Sequence, residues 1–384
     1  MSYFHLNFIL KGKLTVCCLL MLSVMPLNAQ REAKQIGDFK ESISLNEHLR
    51  GTKRTLQYRP DGDEFVCVNG KNRYTRALYG SHSPFRVETS DRPVFAFYNN
   101  GRGGNISFKV ILRDGTELAL DCTGHCESRY SAGKRTYYLT DPSWGKGELR
   151  ISVLALADMD GAIWRFSPSN MPKGAILRWQ HGGATGKRLS RNGDMGVDPA
   201  DCFELPVEAT DLVTGELSLQ KEVYLVRGEV PEGYNVRKLY QQAEAASLAL
   251  ASHLKIETPD PYLNTLGGAL VAAADGIWDG QVWLHGAIGW RMPLSGWRAG
   301  YTGDALGWHD RARTHFDAYA ASQVTDVPNT IPHPAQDSTM NLARSDKRWG
   351  TPQYSNGYIC RNPERNNQMH HYDMNLCYMD ELLW

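Results

Sequence analysis

Alternation of polar and apolar residues dominates the region 56–230 and predicts β-strands. Turn-forming dipeptides such as Asp114-Gly115 separate the runs, and these residue pairs tolerate the positive φ angles of tight hairpins. Many short strands with little intervening helix predict a large β-sandwich. The predicted strands are 64–68, 73–79, 85–88, 94–98, 106–112, 116–121, 136–139, 149–156, 162–166, 176–179 and 222–226.

The pattern changes to helical spacing after residue 234. Apolar residues recur every three to four positions over 236–254, and the prolines at 259 and 261 end this run, which predicts a helical linker. Further helices are predicted over 263–274, over 304–323 and from about residue 372 to the end of the chain. We therefore expect a β-sandwich domain at 30–234, a helical linker at 235–257 and a helical domain at 258–384.

The first residues resemble a secretory signal peptide. Lys11 and Lys13 precede an apolar run over 14–27, and Leu27-Asn28-Ala29 resembles a signal-peptidase site. The apolar run is short for a membrane span, although an anchor that is never cleaved is the alternative interpretation. We expect cleavage after residue 29, export to the periplasm or the extracellular space, and no membrane span in the mature chain.

The charge balance limits the classes of partner, and the cysteines bear on whether the chain binds a metal. The 42 basic and 42 acidic side chains give a formal net charge of zero, which argues against a nucleic-acid partner and suits a neutral polymer such as a polysaccharide. Cys122, His125 and Cys126 resemble half of a zinc site, but no second pair of ligands follows at similar spacing. Free thiols or one local disulfide are therefore expected, with no metal and no cofactor.

Tryptophans interleaved with charged residues mark the segment 278–308 as a candidate carbohydrate site. Indole rings offer flat faces for the C–H groups of sugars, and arginine forks bind vicinal hydroxyls or a carboxylate. The alternatives are that the tryptophans fill the core and that the Trp-Arg pairs are structural cation–π contacts. The predicted substrate-binding residues are Trp290, Arg291, Trp297, Arg298, Trp308 and His309, and the other two tryptophans of the segment are Trp278 and Trp283.

Two segments resemble the six-hairpin (α/α)6-barrel glycosidases of gut Bacteroidetes: GWRMPLSGWRAGYTGDALGWHDRARTHF at 289–316 and MHHYDMNL at 369–376. The segments RYTRALYG at 73–80 and FRVE at 85–88 resemble an uncharacterised β-domain that precedes such barrels. The resemblance implies glycoside hydrolysis, usually with inversion. A complete barrel of this type needs more helices than follow the linker, so we expect an incomplete barrel and a C-terminally truncated chain.

Glycoside hydrolysis requires two carboxyl groups beside the scissile bond. We predict Asp304 first and Asp373 second as the catalytic pair. The alternatives are that Asp304 is an acidic residue in the first turn of a helix and that Asp373 is an N-cap. Asp310 is expected to pair with a neighbouring arginine, Glu381 to be solvated or paired, and Asp279 is a further candidate.

Three functions compete at this point. The first is an exported glycoside hydrolase, or the N-terminal portion of one, that acts on a complex polysaccharide or oligosaccharide. The second is a carbohydrate-binding protein without catalysis. The third is a polysaccharide lyase, in which Tyr301, His309 or Tyr372 abstracts a proton next to a uronate carboxylate.

Overall fold

The computed structural model describes residues 57–71, 74–99, 102–182, 212–230, 232–284, 286, 299–323, 335–337, 342–345, 359, 363 and 372–384. The predicted signal peptide, residues 1–29, lies outside this set. In the described part of the chain no helix is both long enough and apolar enough to span a membrane.

Two seven-stranded antiparallel sheets form the N-terminal part of the described chain. The first sheet has the order β1-β2-β8-β9-β10-β11-β14, and the second has the order β13-β12-β6-β5-β4-β3, with β7 paired to β6. A separate hairpin is formed by β15 and β16. The strands are β1 (Arg59–Asp61), β2 (Glu64–Val68), β3 (Tyr74–Leu78), β4 (Arg86–Ser90), β5 (Phe95–Asn99), β6 (Arg102–Ile111), β7 (Glu117–Ala119), β8 (His125–Ser131), β9 (Lys134–Thr140), β10 (Glu148–Ala155), β11 (Gly161–Ser169), β12 (Ile176–Gly182), β13 (Val213–Ser218), β14 (Val223–Gly228), β15 (Ala335–Asp337) and β16 (Leu342–Ser345).

One hydrophobic core joins the two sheets. Phe95 in the second sheet meets Trp164 of the first edge to face, with ring centroids 5.6 Å apart. Phe108 and Phe166 make a similar contact at 5.1 Å. These ring pairs favour one relative placement of the sheets because edge-to-face geometry adds to the free energy of burying the rings.

The prediction of a β-rich first part is confirmed, but β1, β8 and β13 were not predicted. The inward positions of β8 are Cys126, Ser128 and Tyr130, which give a weak hydrophobic signal. Strand β13 lies at a sheet edge and is mostly exposed, so its alternation carries no apolar signal. Both strands are identified by their pairing rather than by their composition.

Five described helices follow the sheets: α1 (Val236–Ala251), α2 (Pro261–Gly276), α3 (Ala299–Ala305), α4 (His309–Ala320) and α5 (Tyr372–Leu383). Side chains cap the first two. Asn235 accepts the backbone N–H of Lys238, and Asp260 accepts that of Tyr262, with Pro261 at the first helical position.

Helix α1 covers the outer face of the first sheet. Leu239, Tyr240 and Ala243 pack against Leu154 and Ile163, which point away from the core between the sheets. The central strands of the first sheet are therefore buried on both faces, which explains the almost unbroken burial of β10. Packing of this kind fixes α1 on the sheet more firmly than helix propensity alone.

The prediction of one helix over 304–323 is wrong. The helix is interrupted at Gly307, which has a φ angle of 74°. Its N–H donates to the carbonyl of Asp304 at 2.9 Å, and the N–H of Trp308 donates to that of Gly303 at 2.8 Å. This is the Schellman pattern of a helix C-terminus. Asp304 therefore lies in the last turn of α3 and not in the first turn of a longer helix.

The loop 79–85 between β3 and β4 is held against the first sheet. The hydroxyl groups of Ser81 and Ser83 both donate to the carboxylate of Asp160, the former at 2.7 Å. Beside them, Gly80 meets the backbone of Leu156 so closely that an added Cβ would lie 1.8 Å from the carbonyl oxygen. This contact leaves no room for a side chain at position 80.

We expect Gly80→Ala to lower the free energy of unfolding by about 2–3 kcal/mol, because the obstacle is backbone that cannot rotate away. Gly104→Ala is the matched control: its Cβ would meet its nearest neighbour, Nε2 of His181, at an ordinary 3.6 Å. Urea unfolding of both variants measures the difference. Equal stability of the two variants would show that the β3–β4 loop is not packed as described.

Candidate functional site

Buried polar contacts attach the end of α2 to the second sheet. The guanidinium of Arg86 is fully buried and donates to the carbonyl oxygens of Ser83, Phe85 and Gly276. It also lies 4.6 Å from the ring centroid of Tyr79. A buried cation needs this many partners because its desolvation is otherwise unfavourable. The arrangement fixes the last turn of α2 next to the β3–β4 loop.

Asp275, in this last turn, connects three elements. Its Oδ1 lies 3.1 Å from Nε2 of His82 in the β3–β4 loop and 2.7 Å from Nη1 of Arg311 in α4. Burial on its own would raise the pKa of Asp275, but the hydrogen bonds and charges of His82 and Arg311 hold it below its ordinary value. Arg311 therefore pairs with Asp275 rather than with Asp310.

The described tryptophans of the segment 278–308 have two different roles. Trp278 and Trp283 are buried and contact each other with ring centroids 4.7 Å apart, so they fill the core of the helical part. An added Cβ on Gly303 would lie 2.0 Å from the Trp283 ring, so this glycine gives the ring its room. Trp308 is only partly buried, and the guanidinium of Arg311 lies 4.3 Å from its centroid.

The contacts of Trp283 continue into an aromatic column that joins the segment after α2 to α4 and α5. The rings of Trp283 and His315 lie 5.7 Å apart, and the backbone N–H of Trp283 donates to Nδ1 of His315 at 3.1 Å. Phe316 then meets His315 at 5.3 Å and Tyr378 at 5.6 Å. This column positions α5 beside α4.

Asp304 and His309 face each other across the Gly307 turn. Oδ1 of Asp304 lies 2.7 Å from Nδ1 of His309, and the two side chains are 47% and 73% exposed. Asp304 lies in the last turn of α3, and His309 is the first residue of α4. The pair is therefore open to solvent and available to a ligand beside Trp308.

Glu381 in α5 is a functional candidate. From the sequence we expected this residue to be solvated or paired. The residue is 4% exposed, and neither carboxyl oxygen has a hydrogen-bond partner among the described residues. Burial raises its pKa to about 8. An added Cβ on Gly300 would lie 2.6 Å from Oε2, so the carboxyl group lies directly beside α3.

The expectation for Glu381 was wrong because its environment is created by the packing of α3 on α5. The one sequence signal was its spacing of three residues from Tyr378, since residues three apart share a helix face and Tyr378 is buried. The three more apolar residues that follow Glu381, which are Leu382, Leu383 and Trp384, are exposed.

The remaining predicted site residues are described to different extents. Asp373 lies in the first turn of α5, and only its backbone position is described. Asp279 forms a turn, because its Oδ1 accepts the backbone N–H groups of Gln281 and Val282. Trp290, Arg291, Trp297 and Arg298 lie outside the described residues, so their proposed roles in substrate binding stay predictions.

Cys67, Cys122 and Cys126 are free thiols, and burial raises the pKa of Cys126 to about 12. In the described ranges there is no group of three or more His, Cys, Asp or Glu side chains that could hold a metal ion.

Comparisons with known proteins give a family match over part of the chain and a distant structural similarity. Residues 100–230 match the model of a domain of unknown function, DUF4450. No curated protein matches the chain. Among solved structures, a bacterial glucoamylase complexed with acarbose is similar at 10% identity and a TM-score of 0.42, over 68% of this chain. The chain spans about half the length of that glucoamylase, 54%.

A double-mutant cycle on Asp275 and Arg311 tests the connection between α2 and α4. We expect Arg311→Met and Asp275→Asn each to be destabilising, with a coupling energy of about 1–2 kcal/mol, because the pair is partly buried and directly hydrogen-bonded. The same cycle with Arg313, which is exposed on α4, serves as the control and should give no coupling. Additive effects of the Asp275 and Arg311 substitutions would contradict the ion pair.

Proposed function

We propose that this chain is an exported, carbohydrate-active protein that hydrolyses glycosidic bonds with Glu381 and Asp304. The observation that carries the proposal is the placement of two carboxyl groups in opposite environments beside the short helix α3: Asp304 belongs to α3, and Glu381 reaches it from α5. Glu381 is buried beside Gly300 of α3, and Asp304 is exposed on the same helix, four residues after Gly300. The rise along α3 from Gly300 to Asp304 is about 6 Å.

Two carboxyl groups in unlike environments can divide the work of acid and base. A buried carboxyl group with a raised pKa keeps its proton near neutral pH, so Glu381 is suited to protonate the leaving oxygen. Asp304 is open to solvent and already bonded to His309, so it is suited to accept a proton from water. We propose Glu381 as the acid in addition to the sequence-based pair of Asp304 and Asp373.

Sugar recognition is assigned to the surface beside this pair. Trp308 is partly exposed, the guanidinium of Arg311 lies over its ring 4.3 Å from the centroid, and the exposed donor His309 is the next residue in the chain. Segments 289–316 and 369–376, which carry the resemblance to barrel glycosidases, contain the proposed residues Asp304, Trp308, His309, Arg311 and Asp373.

A second candidate is carbohydrate binding without hydrolysis. The specific observation in its favour is the low exposure of Glu381, because a proton donor must come within hydrogen-bond reach of the leaving oxygen. In this case Trp308, His309 and Arg311 would still bind a sugar, and the carboxyl pair would take no part in chemistry.

We expect Asp304→Asn and Glu381→Gln each to lower kcat/KM on a glycan substrate by about 100-fold or more, since each removes one partner of the acid–base pair. Reducing-sugar release from a panel of plant and host polysaccharides provides the assay. Asp310→Asn and Asp380→Asn, exposed neighbours on α4 and α5, should keep wild-type rates. Full turnover by Asp304→Asn would remove Asp304 from the mechanism, and binding without any hydrolysis would favour the second candidate.

The environment of Glu381 also predicts a dependence of stability on pH. Between its ordinary pKa of 4.5 and about 8, the folded protein holds a proton that the unfolded chain releases. The stability that this group contributes is complete below about pH 4.5 and is lost as the pH rises through 8. We expect wild type to lose about 1–3 kcal/mol relative to Glu381→Gln over this range, measured by urea unfolding at pH 5 and pH 9. Parallel curves for the two proteins would show that Glu381 is solvated.

A further inference from the structure

A cavity of about 220 Å³ lies between the β3–β4 loop and helices α1, α2 and α4. We call it the seam cavity. It is separate from the carboxyl groups of Asp304 and Glu381, and neither residue lines it. Its volume is slightly below the range of about 300–1,000 Å³ that is typical of small-molecule sites, so it suits a ligand of one ring.

One end of the seam cavity is polar and carries balanced charge. Asp275 and Arg311 both line it, and their ion pair leaves little net charge to attract an anion. Among the described residues Arg311 donates one hydrogen bond, to Oδ1 of Asp275, and a guanidinium has five N–H donors. Oδ2 of Asp275 accepts from none of the described residues. A donor fork and an open acceptor therefore lie next to each other.

Much of the remaining lining of the seam cavity is apolar. It is formed by alanine side chains from the end of the sheet, from α1 and from α2, including Ala157, Ala246 and Ala272, together with Leu250. Small side chains on three elements leave this space unfilled by the protein. A cavity lined by apolar side chains and by a donor–acceptor pair matches a ring that has C–H groups on one face and hydroxyl groups at its edge.

We propose that the seam cavity binds a neutral cyclic polyol of monosaccharide size. One hydroxyl group donates to Oδ2 of Asp275, and its neighbour accepts from the guanidinium of Arg311, while the C–H face lies against the alanines of α1 and α2. The ligand touches the β3–β4 loop and three helices at once, so binding stabilises the contact between the sheets and the helical part. This inference does not depend on hydrolysis at Asp304 and Glu381.

The test uses glucose, galactose and xylose as neutral probes and glucuronate as the charged one, with saturation-transfer NMR and calorimetry on the full chain. We expect a Kd on the order of 1 mM for at least one neutral sugar. Ala246→Phe fills the cavity and should weaken this affinity at least about tenfold. Ala245→Phe places the same ring on the exposed neighbouring position of α1, outside the lining, and should change the affinity by less than about twofold.

Thermal unfolding of both phenylalanine variants verifies that the helix is still in place. Asp304→Asn should bind the probes as wild type does, which separates this site from the proposed catalytic pair. Equal binding by Ala246→Phe and wild type would overturn the assignment, as would the absence of binding for all three neutral sugars. Stronger binding of glucuronate than of any neutral sugar would overturn the neutral-ligand assignment.

Discussion

The burial of one guanidinium constrains how the helices meet the sheets. Arg86 extends from the second sheet toward the end of α2, where there is no water to solvate its charge. Such a group is tolerated only when backbone carbonyls replace water. It takes two of them from the preceding loop, at Ser83 and Phe85, and one from Gly276, so the docking of the helix on the sheet completes this set of acceptors. Asp275 precedes Gly276, and the position of Arg311 on α4 follows from that of Asp275. The local contacts of a single strand thus extend to the helix that carries the proposed sugar-binding residues.

The sequence was a good guide where burial follows local periodicity. Strands with apolar residues on one face were predicted to within a few residues, and so were α1 and α2, although their side-chain caps were not predicted. Strand β8 was missed because its inward residues are cysteine, serine and tyrosine, which alternate without being strongly apolar. The break at Gly307 was missed because a glycine inside a helical pattern is compatible both with continuation and with a left-handed turn. Tertiary packing decides between these two outcomes.

The sequence singled out the tryptophans and carboxylates of the candidate site, but it did not distinguish the environments of these side chains. A tryptophan that fills a core and a tryptophan that faces a ligand can have similar neighbours in the sequence, so the sequence does not distinguish the two roles. What separates Trp283 from Trp308 is the partner that each one meets: a glycine on α3 for the former and a guanidinium on α4 for the latter. The burial of Glu381 was not predicted for the same reason, since it is produced by residues far away in the chain.

Helix α3 has seven residues, two of which are glycines that receive Trp283 and Glu381. A segment this short and this rich in glycine has no helical population of its own in water. Its helical structure therefore depends on the contacts that its glycines make with Trp283 and Glu381. Amide hydrogens of α3 should accordingly exchange sooner than those of the sheets. In this protein the segment that carries Asp304 is the one whose structure depends most on all the others.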